Sequence, residues 1–317
     1  MDVSAVIRSA PWVLLEGAVV ERLRRDPAVR LDSHVVHAAL VLSEAGRRTL
    51  RRIYEEYLDV GRMAGVPLIL LSPTWRANFE RLRAAGLEDS DVNGEGVRFL
   101  QDLRGEWGPY GERVLVLGLM GSRGDSYRPE EGLPAAEAEV FHGPQAEALA
   151  RAGVDGFQAA TQCTLPEALG LCRAMARTGL PYLASYVVRP SGHLLDGTPL
   201  EQAVDRVDQE TSPPPLLHML NCVHSRNAAA ALSAARARAG SNRCLDRILG
   251  IQANTSPLSP EELDGRPELD AEAPEAFGAG LLDLHRRFGL RLLGGCCGSD
   301  ARHLRALVHA MGGPGPG

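Results

Sequence analysis

The chain contains no lysine, so all 34 of its basic residues are arginine. That absence removes every chemistry that needs an ε-amine: a Schiff-base nucleophile, a pyridoxal-phosphate anchor and a phosphate-loop lysine. Glycine-rich phosphate fingerprints are missing too. After the first apolar run, "EGAVVERL" offers only Gly17, which counts against a doubly wound dinucleotide-binding sheet. No uncharged apolar stretch reaches the roughly 18 residues of a membrane span. The opening "MDVSAVIRSAPWVLL" lacks the basic region and long apolar core of a secretory leader. H-x-H motifs with carboxylate clusters are absent, which disfavours a metal-dependent hydrolase. A net charge of −6 disfavours nucleic acid and anionic membrane as partners. Six cysteines in 317 residues make no disulfide framework, and the expected setting is reducing and cytoplasmic.

What is present is regular. Short runs rich in Val, Ile and Leu begin at 12, 66, 113, 154, 180, 216, 247 and 290. Continuous apolar runs suit strands buried on both faces of a parallel sheet. Helix-like patterns separate them at 47–64, 134–152, 166–178, 199–209, 226–239 and 275–288, and "SDARHLRALVHAM" follows the last run with Ser299 or Asp300 as N-cap. Eight β-then-α units in about 300 residues predict a single-domain (β/α)8 TIM barrel over 12–311. Residues 1–11 form an N-terminal segment, 257–275 a long surface loop, and 312–317 a disordered tail. A homo-oligomer is left open.

The motif "LLGGCCGSDARHL" places Cys296 and Cys297 side by side among Gly294, Gly295 and Gly298. Neighbouring side chains on a strand point to opposite faces, so two adjacent thiols serve one purpose only where the chain leaves regular geometry. Both follow the eighth run. Cys222, in "MLNCVHS", ends the sixth, and active-site groups of parallel barrels gather at strand C-terminal ends. Cys172 falls in a helical pattern, Cys244 in a loop and Cys163 just after the fourth run; the first two are expected to be ordinary packing residues.

Three thiolates at one mouth point to Zn2+, with three protein ligands leaving a fourth position open. His224 or His303 could close that position and make the site structural, and a vicinal disulfide is a third arrangement. A three-thiolate centre is electron-rich and a poor generator of hydroxide. It can hold a thiol substrate as its thiolate, the form that is nucleophilic. The expected reaction is alkyl transfer to sulfur.

"NCVH" and "GGCCGSD.RH" resemble the homocysteine S-methyltransferase family, whose zinc ligands lie in an N-C motif and a G-G-C-C-G motif. "LLEGAVVERLRRD" resembles its opening D-G-G-x-x-T segment and "LSPTWRANFERL" its T-x-T-Y-x-A segment, so the likeness covers nearly the whole chain. The resemblance implies a barrel enzyme with Cys222, Cys296 and Cys297 on zinc. It further implies homocysteine as acceptor, methionine as product, and a compact methyl donor such as S-methylmethionine, S-adenosylmethionine or a betaine.

The chain departs from the pattern where Glu16 replaces the opening Asp and Ala18 the second glycine. The family's fourth strand ends E-T, and its glutamate helps hold the substrate's ammonium. Here Ala160 precedes Thr161. Either Glu16 does that work alone, or the acceptor is a different thiol or selenol. Around the mouth, Glu16 and Gly17 are expected at the substrate, Trp75 as a wall able to stack on a cationic donor, and Asn221 beside a ligand. Asn254 ends the seventh strand within reach. The non-enzymatic alternative is a barrel whose zinc is structural.

Overall fold

The structure, a computed structural model, describes residues 2–263 and 268–313. Eight parallel strands close into a barrel in sequence order: β1 Val13–Leu15, β2 Leu68–Leu71, β3 Val114–Met120, β4 Gly156–Gln162, β5 Tyr182–Tyr186, β6 Leu217–His224, β7 Ile248–Asn254 and β8 Leu292–Gly295. Pairing of Val13 with Leu292 and Leu14 with Leu293 joins the first strand to the last. The predicted (β/α)8 architecture is therefore the one observed.

Alternation decides what fills the barrel. Leu15, Ile69, Leu71, Leu115, Leu117, Leu183, Leu217, Met219 and Leu292 form one buried cluster inside it. Their neighbours on the strands, such as Leu14, Leu70, Val116, Phe157 and Leu293, join a second cluster with the surrounding helices. Each strand is thus wetted on neither face, which is why its run reads as continuous rather than alternating.

The helices are α1 Val3–Ser9, α2 Val20–Arg25, α3 Glu44–Ala64, α4 Phe79–Ala84, α5 Val92–Glu106, α6 Ala135–Arg151, α7 Leu165–Ala176, α8 Leu200–Glu210, α9 Ser225–Ala239, α10 Pro260–Leu263, α11 Pro274–Phe288 and α12 Ala301–Ala310. The anticipated helices recur with ends shifted by a few residues. α3 begins earlier because the Ser43 side chain accepts the Gly46 amide, and it stops at Gly65, whose φ of 64° is left-handed.

Five of the described helices lie outside the expected set, α10 falling within the expected surface loop. α5 hides behind glycines at 94 and 96, the second pressed against Thr74. α2 and α4 are each six residues long, too short to show a period. α1, capped by Asp2, buries Val3 and Ile7 in the cluster inside the barrel, against the starts of the strands. Of the expected disordered tail, residues 314–317 lie outside the described residues, as do 264–267 of the surface loop. No described helix is long and apolar enough to cross a membrane.

Candidate metal centre

The register across the last strands sets the height of the cysteines. Asn221 of β6 pairs with Gln252 of β7, and Gln252 pairs with Gly294 of β8. Cys222 and Cys296 therefore both stand at the C-terminal rim of the barrel. Continuing the alternation of Leu217 and Met219 would send residue 222 outward. A register shift between Asn221 and Val223, with Cys222 at a left-handed φ of 55°, turns it back. Such a backbone costs a non-glycine residue about 1–2 kcal/mol and persists only where its surroundings impose it.

The double-cysteine turn is fastened on both sides. Cys296 N donates to Ala253 O at 2.7 Å, and Thr255 N donates to Cys297 O at 3.1 Å. Ser299 Oγ donates to Cys296 O at 2.7 Å and accepts the Ala18 amide at 3.2 Å, tying the turn to the end of β1. The Gly298 amide donates to the Glu21 carboxylate of α2. Gly298 sits at φ 84°, and a Cβ there would collide with Thr255 Oγ1. Only glycine completes this turn without strain.

The result is convergence. The three sulfur atoms lie within 4.8 Å of one another, with Cys222 Sγ 2.6 Å from Cys296 Sγ and 3.8 Å from Cys297 Sγ. Around a tetrahedral ion with Zn–S bonds of about 2.3 Å, sulfurs stand roughly 3.8 Å apart. The Cys222–Cys297 pair matches that edge and the Cys222–Cys296 pair is shorter, while the donor type, three thiols, suits a thiophilic cation with one position left over. No histidine or carboxylate joins the group among the described residues. The two histidines that could have closed it are engaged elsewhere. His224 Nδ1 accepts the Arg226 amide while Nε2 faces Glu272 at 3.2 Å, and His303 forms a capping box with Asp300. Neighbouring sulfur hydrogen bonds and Tyr127 hold the Cys222 thiol well below its ordinary pKa, while hydrogen bonding to Cys222 and burial push the Cys296 thiol up. The same sulfur contacts that lower one thiol raise another, and a bound cation would favour the thiolate form of each.

Tyr127 was not anticipated. It lies in the segment joining β3 to α6, and its hydroxyl and the cluster sulfurs influence each other's protonation. The segment is held over the mouth by Ser122 Oγ on Thr161 O at 3.4 Å and Ser126 Oγ on Thr161 Oγ1 at 2.9 Å. Burial, then the sulfur charges, push the Tyr127 pKa up, so the hydroxyl stays protonated as a donor. Its one sequence signal is being the sole aromatic among 121–134, a run otherwise of Gly, Ser, Pro, Leu and charged residues.

A homocysteine S-methyltransferase family model matches residues 13–311. The chain belongs to the homocysteine S-methyltransferase family. Homocysteine S-methyltransferase of Escherichia coli K12 is 25% identical over 320 residues, covering 96% of each chain. Methionine synthase of Mycobacterium tuberculosis is 27% identical over 295 residues, 86% of this chain but 22% of that larger protein. Solved structures of the E. coli homocysteine methyltransferase MmuM share the fold. Its oxidised form superposes with a TM-score of 0.75 at 22% identity, covering 97% of this chain and 98% of that one. Its metallated form gives 0.74, covering 96% and 98%. The three-cysteine cluster lies within the residues that the family model matches.

The remaining anticipated residues of this family member occupy varied positions. Asn221 does not touch a sulfur; its Oδ1 accepts the Thr161 amide at 2.9 Å. Glu16 is buried, and its Oε2 accepts the Leu71 amide at 2.8 Å beneath Tyr54 and Tyr57 of α3. Burial pushes the Glu16 carboxyl well above its usual range, and no cation pairs with it among the described residues. Gly17 leaves room for Tyr57, whose Oη would meet a Cβ there at 2.9 Å. Trp75 is half-buried on the rim, with the Arg76 guanidinium 4.3 Å from its ring centroid, so one ring face is already taken by the chain's own cation. Asn254 Oδ1 is buried without a partner. Ala160 is 5% exposed and places a methyl where the family pattern has a carboxylate. Cys172 and Cys244 are buried away from the cluster, and burial pushes the Cys244 thiol up to about 11.

Proposed function

We propose that this chain transfers a methyl group to the sulfur of a small thiol, homocysteine by its family, using a resident zinc ion. The observation that carries this reading is the set of three convergent sulfurs with no fourth protein donor among the described residues. Cys222, Cys296 and Cys297 would hold the ion. When bound, zinc supplies the positive charge that keeps an incoming thiol ionised near neutral pH.

The chain's own residues do the rest. The bulge at Asn221 and the Gly298 turn hold the sulfurs in place, and the Tyr127 hydroxyl helps to hold the Cys222 thiol below its ordinary pKa. The acceptor's sulfur lone pair forms the new S–C bond as the donor's bond to the methyl breaks, its electron pair staying on the donor. The thiol proton passes to solvent. A sulfonium or quaternary ammonium donor departs as a neutral molecule, so S-methylmethionine, S-adenosylmethionine or a betaine would serve. Holding both reactants in line supplies most of the acceleration. Glu16 suits an arriving ammonium, because a buried carboxyl lacking a cation is ready to ionise beside one. Asn254 Oδ1 offers an unused acceptor at the end of β7. A reducing, cytoplasmic setting would keep the three thiols available.

A second reading, an acceptor other than homocysteine such as another thiol or a selenol, is favoured by Ala160. The engagement of His224 and His303 weighs against a closed structural site. X-ray absorption at the zinc edge tests the centre: three sulfur neighbours in the resting protein should become four on adding a thiol. An unchanged count, with no methylated product across a panel of donors and thiols followed by mass spectrometry, would sink the proposal.

A further inference from the structure

Arg76 follows Trp75 beyond the C-terminal end of β2 and is only 7% exposed. A buried guanidinium ordinarily has a carboxylate partner, since removing charge from water without one is costly. Here no carboxylate pairs with Arg76 among the described residues. Its Nη1 donates to two neutral groups, the carbonyls of Ser122 at 3.2 Å and of Gly124, and its plane lies over Trp75. Nε and Nη2 have no hydrogen-bond partner among the described residues. That free edge is the one by which arginine grips a carboxylate with two parallel bonds.

The acids nearest to it are spoken for. Glu167 Oε1 accepts the Arg123 amide at 2.7 Å and faces His142 at 3.1 Å, and Asp125 influences Arg76 without reaching it. Arg81 and Arg24 push in the opposite sense, and burial leads in lowering the Arg76 pKa to about 10. Arg24 is exposed, and its charge acts on both Arg76 and Cys297. The segment whose carbonyls hold Arg76 carries Tyr127 to Cys222. The mouth is therefore short of the family's carboxylate at 160 and supplied with unpaired arginine.

We infer that the free edge of Arg76, assisted by Arg24, is a binding site for the carboxylate of a small ligand of this enzyme, carried by the acceptor thiol or the methyl donor. This rests on the proposed function and deepens it, shifting recognition from the ammonium end toward the acid end.

The test uses the full-length, zinc-loaded protein in two arms. Calorimetry compares homocysteine with homocysteinamide, and initial rates compare S-methylmethionine with its amide. Wild type should prefer the acid form in at least one arm by about tenfold or more, and that arm identifies the source. Arg76→Gln should abolish the preference while leaving binding of the amide unchanged, with Arg76→Lys retaining part of it. Two results overturn the inference: indifference of wild type in both arms, or equal weakening of acid and amide by Arg76→Gln, which would make Arg76 a loop staple. The wild-type comparison stands even if the variants fold poorly. Should no thiol bind at all, the functional reading falls separately, and 2-aminobutanoate against 2-aminobutanamide still reads the carboxylate preference.

Discussion

Asn221 Oδ1 accepts the backbone amide of Thr161 at 2.9 Å, joining two strand ends that both leave regular geometry. Thr161 has φ 53° and Cys222, the residue after Asn221, has φ 55°; these are two of three non-glycine residues with left-handed φ among the described residues. The carboxamide thus anchors the bulge that aims Cys222. Asn221→Ala would strand a buried amide, at about 1–3 kcal/mol, and let Cys222 relax. Zinc affinity, measured by competition with a chromogenic chelator, should fall by roughly 10–100-fold, as for other supporting contacts around metal ligands. Asn221→Asp keeps the acceptor oxygen and should retain most of the affinity. Full affinity in the alanine variant would show that the bulge holds itself.

Tyr127 supplies the hydroxyl expected to bond the same sulfur. A hydrogen bond to a thiolate withdraws electron density, so its removal should raise the energy of the sulfur lone pairs. In cobalt-substituted protein, Tyr127→Phe should move the sulfur-to-metal charge-transfer band to longer wavelength. Substitution of the metal by cobalt should otherwise leave a tetrahedral spectrum. Charge-assisted hydrogen bonds are worth about 1.5–3 kcal/mol, enough for a visible displacement. An unshifted band would mean the hydroxyl does not bond Cys222 once the metal is present.

The glycine after the cysteine pair is a further lever. Gly298→Ala places a Cβ at φ 84°, against Thr255 Oγ1. The left-handed backbone alone costs about 1–2 kcal/mol, and the collision adds to it. Loss of thermal stability should be accompanied by loss of metal. Gly65→Ala supplies the control, since it shares a left-handed φ of 64° but faces open space. It should lower stability by a similar backbone cost and leave zinc content unchanged. If both variants hold metal equally well, the turn is not what positions Cys296 and Cys297.

Much of this was legible beforehand because two signals are strong. Strands buried on both faces need unbroken apolar runs, and eight such runs gave the barrel and hence the side on which a site must lie. Adjacent cysteines among glycines admit few purposes, so Cys222, Cys296 and Cys297 could be grouped across 74 residues. The misses have physical causes as well. Tyr127 comes from an irregular segment, where no period relates position to direction. Arg76 drew no attention in the sequence, because burial of a charge depends on which carbonyls fold over it. Asn221 was associated with the site on sound grounds, yet its partner is a peptide amide from another strand rather than a sulfur. α1 escaped notice because a two-turn helix shows its apolar face only once it has something to plug.

A last expectation concerns acid. His37 is buried, its Nδ1 has no partner, and burial with the nearby Arg24 charge pushes its pKa down to about 3. In the unfolded chain the imidazole titrates near 6.5. Above that value both states are neutral and His37 contributes no pH dependence. Below it, the unfolded chain takes up a proton that the folded one refuses, so stability falls as pH falls. Between pH 7 and pH 5 this group alone should cost about 2 kcal/mol. His37→Leu removes the titration, so its urea-unfolding free energy should decline less than that of wild type over the same interval. Comparing the two proteins at each pH cancels whatever the metal site loses in acid. Parallel declines would mean that His37 takes up its proton in the native state.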